Sequence, residues 1–196
     1  MQINLADNIL HDDIQVNDAL QAFYAQHNLG EDGGLHKKWA TLKVGRFHIP
    51  FPNTKARKRA ILWHDIHHMA TGYSGYWQGE VSIGAWEVSS GCADYYAAWF
   101  LDLGAVAVGL FLFPGLVYKG FIRGRRTLNL YSNMLTAGQA KSMTLGEVRK
   151  LLKLNIADNT PVSFSELSAF VGWSLFALLL FGWPFLLLLL CVAGVI

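Results

Sequence analysis

The sequence predicts an all-α fold, a helical domain with a C-terminal transmembrane helix, on three observations. Apolar residues recur at helical spacing along the chain, as at Leu20, Phe23 and Tyr24. Residues 170–196 form a run of 27 residues without a charge, which at 1.5 Å per residue reaches about 40 Å, ample for a hydrocarbon core of about 30 Å. The composition is 53% hydrophobic and only 15% charged, high for a purely soluble domain. These divide the chain into a helical domain at 1–155, a linker at 156–169 and a transmembrane anchor at 170–196.

The first stretch carries Asp7, Asp12 and Asp13 but no Lys or Arg before Lys37. A secretory signal needs a basic start and an apolar run, and a mitochondrial presequence is Arg-rich and acid-poor. A bacterial source fits best. A helix is expected from about Asp18 to Asn28 or Gly30, then a loop over 30–34. The segment 36–52 is less regular, because Pro50 and Pro52 block a helix there. Lys55, Arg57, Lys58 and Arg59 form a basic cluster directly before the next helix. They read as a solvated face, as a grip on an acidic substrate group, or as contacts to anionic lipid head groups worth about 1 kcal/mol each. His11, His27, His36 and His48 are scattered and read as surface or hydrogen-bonding histidines.

The most informative stretch is Ala60 to Trp86. At about 100° per residue, His64, His68 and Asp65 fall at roughly 0°, 40° and 100° on one arc of a helix, with Leu62 and Ile66 behind them. His67, near 300° by the same rule, lies on the flank and is the weakest candidate of the four. Two imidazoles one turn apart plus a carboxylate make a half-built divalent-metal site. Glu80 is the expected completing ligand: eleven residues separate it from His68, enough to reverse through Gly72, Gly75 and Gly79. A second helix entered at Glu80 would favour a carboxylate in its first turn. Glu87 and Asp94 follow at seven-residue steps, with Gly84 and Gly91 between them, so a partner helix can approach closely.

The pattern H-D-x-x-H, eleven residues, then E, as His64, Asp65, His68 and Glu80, resembles the signature of the coenzyme Q biosynthesis protein four family (Coq-four). PFPNTKARKRAILWHD before it, TGY in the turn and GEVSIGAWE after it are also similar, and a weaker likeness runs through RGRR at 123–126 and MTLGEVRKLLKL. The resemblance implies an all-helical fold and a divalent metal, often zinc, on the motif. It also implies a role in ubiquinone biosynthesis on membrane-embedded prenylated quinone precursors. Two roles come with it: oxidative decarboxylation of the ring, or a non-catalytic scaffold that organises other quinone-biosynthesis proteins. The apolar tail departs from that family, whose members associate peripherally.

Beyond the motif, Trp63, Tyr73, Tyr76, Trp77, Trp86, Tyr95, Tyr96 and Trp99 suit interfacial depth, a pocket for a prenylated ring, or ordinary packing. Residues 103–118 are apolar but short of the roughly twenty needed to span, and Pro114 interrupts them. They read as a buried or membrane-dipping helix walling a groove for an isoprenoid tail, with a true span as the alternative. Lys119 to Arg126 is basic again, with a solvated turn weighed against phosphate or lipid contact. A small helix starts at Thr144, with Glu147 completing a capping box. Cys92, placed in the second site helix, and Cys191 imply no disulfide. Lys and Arg precede the tail and are absent after it, so the positive-inside tendency puts the helical domain in the cytoplasm, a single pass in the bacterial inner membrane. A net charge of +2 argues against a nucleic-acid partner.

Zinc or iron are the cofactors this reading expects, and only a redox metal would serve an oxidation. His64, His67 and His68 also spell HxxHH, a box of membrane di-iron desaturases and hydroxylases, but the further histidine clusters such enzymes need are missing from this sequence. A metallopeptidase reading fails because Asp65 stands where the Glu general base of HExxH belongs. An HD-type phosphohydrolase would need a further His and Asp that cannot be located.

Overall fold

The computed structural model describes residues 10–44, 47–132, 135–155, 160–183 and 191. Among them are eight helices and one hairpin: α1 Val16–His27, β1 Trp39–Val44, β2 Phe47–Pro52, α2 Lys55–Thr71, α3 Trp77–Ser90, α4 Tyr96–Leu112, α5 Pro114–Arg125, α6 Ala137–Ser142, α7 Leu145–Leu151 and α8 Phe164–Phe181. The all-α expectation holds, with one local difference. The irregular segment is an antiparallel ribbon in which Trp39 pairs with Pro52 and Thr41 with Pro50. In a two-stranded ribbon each strand is an edge, so a proline without an N–H is tolerated.

Side-chain caps open four of the eight described helices. The Thr54 hydroxyl accepts from the Arg57 N–H, so α2 starts at Lys55, and the basic cluster forms its first turns rather than the loop before it. Two of those cations are tied to protein. Arg57 donates to Asn53 Oδ1 at 2.9 Å, and Arg59 donates to Asp94 Oδ2 at 2.8 Å while lying over the Tyr95 ring. Gly72 ends α2 with φ 78°, a left-handed turn that glycine makes at no steric cost. α3 then begins at Trp77, three residues before the expected Glu80, and ends at Ser90. Cys92 therefore sits in the turn beyond α3 and not in the helix. Phe113 and Pro114 divide the apolar run at 103–118 into α4 and α5, with Pro114 in the first turn of α5 where its missing N–H costs nothing. The capping box expected at Thr144 and Glu147 is present.

Every residue of α3 from Gly79 to Ser89 is buried apart from Glu80, because the helix lies between two apolar clusters. Ile83 and Trp86 join Leu20, Ile66 and Leu145 on one side, while Val81, Ala85 and Val88 join Val106, Val117 and Phe121 on the other. α5 crosses α3 at backbone distance. A Cβ at Gly120 would collide with the Ser82 carbonyl oxygen, and one at Gly124 with that of Trp86. Gly84 does the same for α4, where a Cβ would stand 3.1 Å from that of Ala105.

α8 begins at Phe164, six residues before the expected anchor boundary at 170, because Ser163 and Glu166 form a capping box. Arg126 clamps that end through Glu166 at 2.6 and 3.1 Å and through the Thr160 carbonyl. α8 rests on the domain through Trp173 stacked on Trp99 and Phe170 edge-on to Tyr118 and Phe121. Among the described residues it is the one helix long and apolar enough to cross a membrane. Residues 156–159 of the linker and 184–190 and 192–196 of the anchor lie outside the described residues.

The α3–α5 crossing yields a stability test. Gly120→Ala should destabilise the domain by about 1–3 kcal/mol, the cost of overpacking against backbone that cannot yield. Gly138→Ala, where nothing lies within 4 Å, should leave the denaturation midpoint unchanged or slightly raised. Chemical denaturation of the two variants reads both.

Candidate metal centre

α2 and α3 run side by side after the Gly72 turn, and the turn's tightness brings the first turn of α3 back over the last turns of α2. Gly79 lies so close to Ser74 that any side chain there would strike the Ser74 backbone. Glu80, one residue on, thereby faces His64 and His68. His64 Nε2 lies 3.6 Å from Glu80 Oε2, His68 Nε2 lies 3.5 Å from Glu80 Oε1, and the two Nε2 atoms stand 3.1 Å apart. Three of the four residues expected from the sequence therefore converge.

The outer nitrogen of each imidazole limits what can lie between the inner ones. His64 Nδ1 is 3.0 Å from Glu87 Oε2, and His68 Nδ1 is 2.9 Å from the Tyr73 carbonyl oxygen. Both partners only accept, so both Nδ1 atoms carry the proton and donate. Were both rings neutral, each Nε2 lone pair would face the other across 3.1 Å, an arrangement that repels, so either a proton on His64 or a cation lies between them. Bonds of about 2.0–2.2 Å in tetrahedral geometry place neighbouring ligand atoms about 3.3–3.6 Å apart, close to the separations of 3.1, 3.5 and 3.6 Å here. The donor set fits a divalent cation: two imidazoles oriented by a carboxylate and a carbonyl behind them, plus one carboxylate, with room for a further ligand. Glu80 marks the mouth, its side chain 40% exposed against 1% for His68.

Asp65 does not join them. Ligand atoms of His64, His68 and Glu80 lie within 4.8 Å of one another, and Asp65 is outside that group. It is buried, hydrogen-bonded by the Tyr24 hydroxyl, with its Oδ2 atom unpaired. Burial pushes its carboxyl up to about 6, against the pull of His64 and His68. Asp65 shares the helical arc of His64 and His68, but α1 supplies Tyr24 as its partner at the edge of that arc.

His67 is committed elsewhere. Its Nδ1 donates to Glu87 Oε1 at 2.5 Å and its Nε2 accepts from the Leu130 N–H at 2.8 Å, leaving no free lone pair. Burial, which outweighs Glu87, holds its pKa below the usual value and keeps it neutral. Glu87 thus binds two histidines and also accepts from the Tyr131 hydroxyl at 3.2 Å. The seven-residue step from Glu80 was the sequence signal for Glu87, although nothing there separated ligand from orienter. Asp94, the third carboxylate of that stripe, falls beyond the helix and pairs with Arg59. A second carboxylate, Asp102 of α4, is buried beside the Cys92 thiol at 3.5 Å and close enough to hydrogen-bond Glu87, which requires a proton between the two carboxyls. A cavity of about 40 Å³ adjoins His68, lined by residues that include Phe23, His27, Met69, Tyr73 and Tyr76.

No protein-family model matches the chain, nor does any curated protein or any solved structure.

Glu87→Gln keeps the volume but offers one acceptor to two donating imidazoles. Cation affinity, read by competition with a chromophoric chelator, should fall about 10–100-fold while the far-ultraviolet dichroism stays unchanged. Binding should also depend on pH in a defined direction. Burial alone would lower the His64 pKa, but Glu87 and Glu80 outweigh it and raise it well above the usual value. A cation must therefore displace a proton from His64. Affinity should fall about tenfold per pH unit below that raised pKa and level off above it, as measured by titrating Zn2+ across a pH series.

Proposed function

We propose that this chain is a membrane-bound metalloprotein of ubiquinone biosynthesis that holds zinc or iron on His64, His68 and Glu80 and acts on a prenylated quinone precursor. The carrying observation is the pair of Nε2 atoms facing each other at 3.1 Å with the Glu80 carboxylate closing the triangle. The biosynthetic assignment comes from the likeness of the His64-to-Glu80 motif and its flanks to the Coq-four family.

A bound divalent cation would polarise a carboxylate or carbonyl, whereas an oxidative decarboxylation would call for a redox metal. The chain's own residues set the rest. Glu87 and the Tyr73 carbonyl hold the two rings in the ligating tautomer. Glu80 stands at the mouth, and Arg57 lies near enough to feel the charges of Glu80 and Asp65, so an acidic substrate group would meet a cation there. Val81, next to Glu80, packs against Gly109 in the apolar α4, which sets the mouth beside the most hydrophobic layer of the fold. α8 anchors the domain, and the Lys and Arg residues before it favour a cytoplasmic domain on the inner membrane of a bacterium.

The second reading is a non-catalytic scaffold for other quinone-biosynthesis proteins. It is favoured by the way the triangle bridges α2 and α3, as a structural clamp would, and by the small size of the cavity at His68.

The test is metal content and turnover of a prenylated aromatic acid by the purified full chain. Wild type should hold stoichiometric metal and convert the acid. His64→Ala and Glu80→Ala should each lose the metal, with an affinity cost beyond the ~10–100-fold of an orienting residue, and lose turnover with it. Metal retained in both variants removes the site. Metal bound without turnover leaves the scaffold reading.

A further inference from the structure

α4 is the least explained element, because it presents a large apolar surface that the rest of the described chain leaves uncovered. Phe100 is 60% exposed, Leu101 43% and Leu112 60%. The helix has one charged residue, Asp102, and it is turned inward, 3% exposed, to meet Cys92 and Glu87. A soluble helix carries its polar residues outward; α4 does the reverse.

α4 is also joined to α8. Trp99 stacks on Trp173 with centroids 5.2 Å apart, Phe100 meets Phe181 edge-on at 5.0 Å, and Phe181 lies over Gly104. α8 continues the same surface with Val171, Leu175 and Leu179, which are 48%, 55% and 77% exposed. Its one charge, Glu166, sits at the N-terminal end and is neutralised by Arg126. The two helices thus form one contiguous apolar face, well beyond the scattered hydrophobic residues a soluble surface tolerates.

We propose that the outward face of α4 lies against the acyl chains of the bilayer together with α8, so that the domain is seated in the membrane surface rather than suspended from an anchor. This rests on the membrane reading of α8 given above. The occupant follows from α8 itself: if that helix is in lipid, the side chains that pack on it from α4 are carried to the same depth. Among the described residues the face carries no charge, and its exposed hydroxyls, Tyr96 and Ser168, lie toward the N-terminal ends of α4 and α8, so little on it would orient a protein partner.

The experiment uses the full chain in phosphatidylcholine–phosphatidylglycerol vesicles, in a Cys191→Ser background where the remaining Cys92 is buried. Single nitroxide labels are placed through Leu101→Cys and Leu112→Cys on α4, Leu175→Cys on α8 and Lys150→Cys on α7. Collision with oxygen is compared with collision with a water-soluble nickel chelate. The labels at 101, 112 and 175 should favour oxygen severalfold over the label at 150. If the label at 175 is in lipid while those at 101 and 112 meet the nickel chelate as the label at 150 does, α4 faces water and the inference fails alone. If the α4 labels are shielded from both reagents, a protein partner or second copy covers the face and the inference fails. A label at 175 in water overturns the membrane reading and this inference together.

Discussion

A carboxylate with no exposed surface can stay charged only when donors surround it, and Glu87 is such a group. Burial works against its ionisation, yet His64 and His67 hold its pKa well below the usual range. Satisfying it fixes much of the fold. His64 and His67 must stand on the α2 face that meets α3, which sets the rotation of α2. Tyr131 must reach back from the segment after α5, and Leu130 must bring its N–H to His67. One buried charge therefore ties α2, α3 and the chain after α5 to a common point, and His64 is oriented as a consequence.

The close crossings around α3 serve the same end. Arg123 reaches from α5 to the Thr71 carbonyl at the end of α2 and lies over the Tyr73 ring, while Arg149 of α7 reaches the Met69 and Ala70 carbonyls. Unpaired carbonyls at a helix end attract cations. Here two arginines hold in place the turn whose Tyr73 carbonyl orients His68. The basic segment at 119–126, weighed in the sequence as a solvated turn against phosphate or lipid contact, puts Arg123 and Arg126 to work inside the protein.

What the sequence displayed was local and periodic. Two histidines one turn apart, a glycine turn of fixed length and a carboxylate in the next first turn are spacing arguments, and the structure brings His64, His68 and Glu80 together. The helix stop at Gly72, the break at Pro114 and the capping box at Thr144 belong to the same kind. What stayed hidden depends on partners far along the chain. Asp65 shares the arc of the histidines but is claimed by Tyr24, and Glu87 looked like one carboxylate in a stripe until α2 was laid beside it. The hairpin at 39–52 was masked by prolines that are harmless on an edge. The start of α8 was readable in Ser163 and Glu166, but the uncharged run beginning at 170 drew the boundary instead.

With Asp65 turned inward, the charge at the triangle can be counted. His64 and His68 are neutral as ligands, so a divalent cation held by them and Glu80 keeps one uncompensated positive charge, and Glu87 behind His64 offsets it only through an imidazole. Such a centre favours an anion at its remaining position over a neutral ligand, more strongly where surrounding residues exclude water. Arg57, near enough to feel the charges of Asp65 and Glu80, adds to that preference. Had Asp65 been a fourth ligand, the cation would have been neutral, with its four positions filled. The inward turn of a single carboxylate, fixed by one tyrosine of α1, separates those two outcomes.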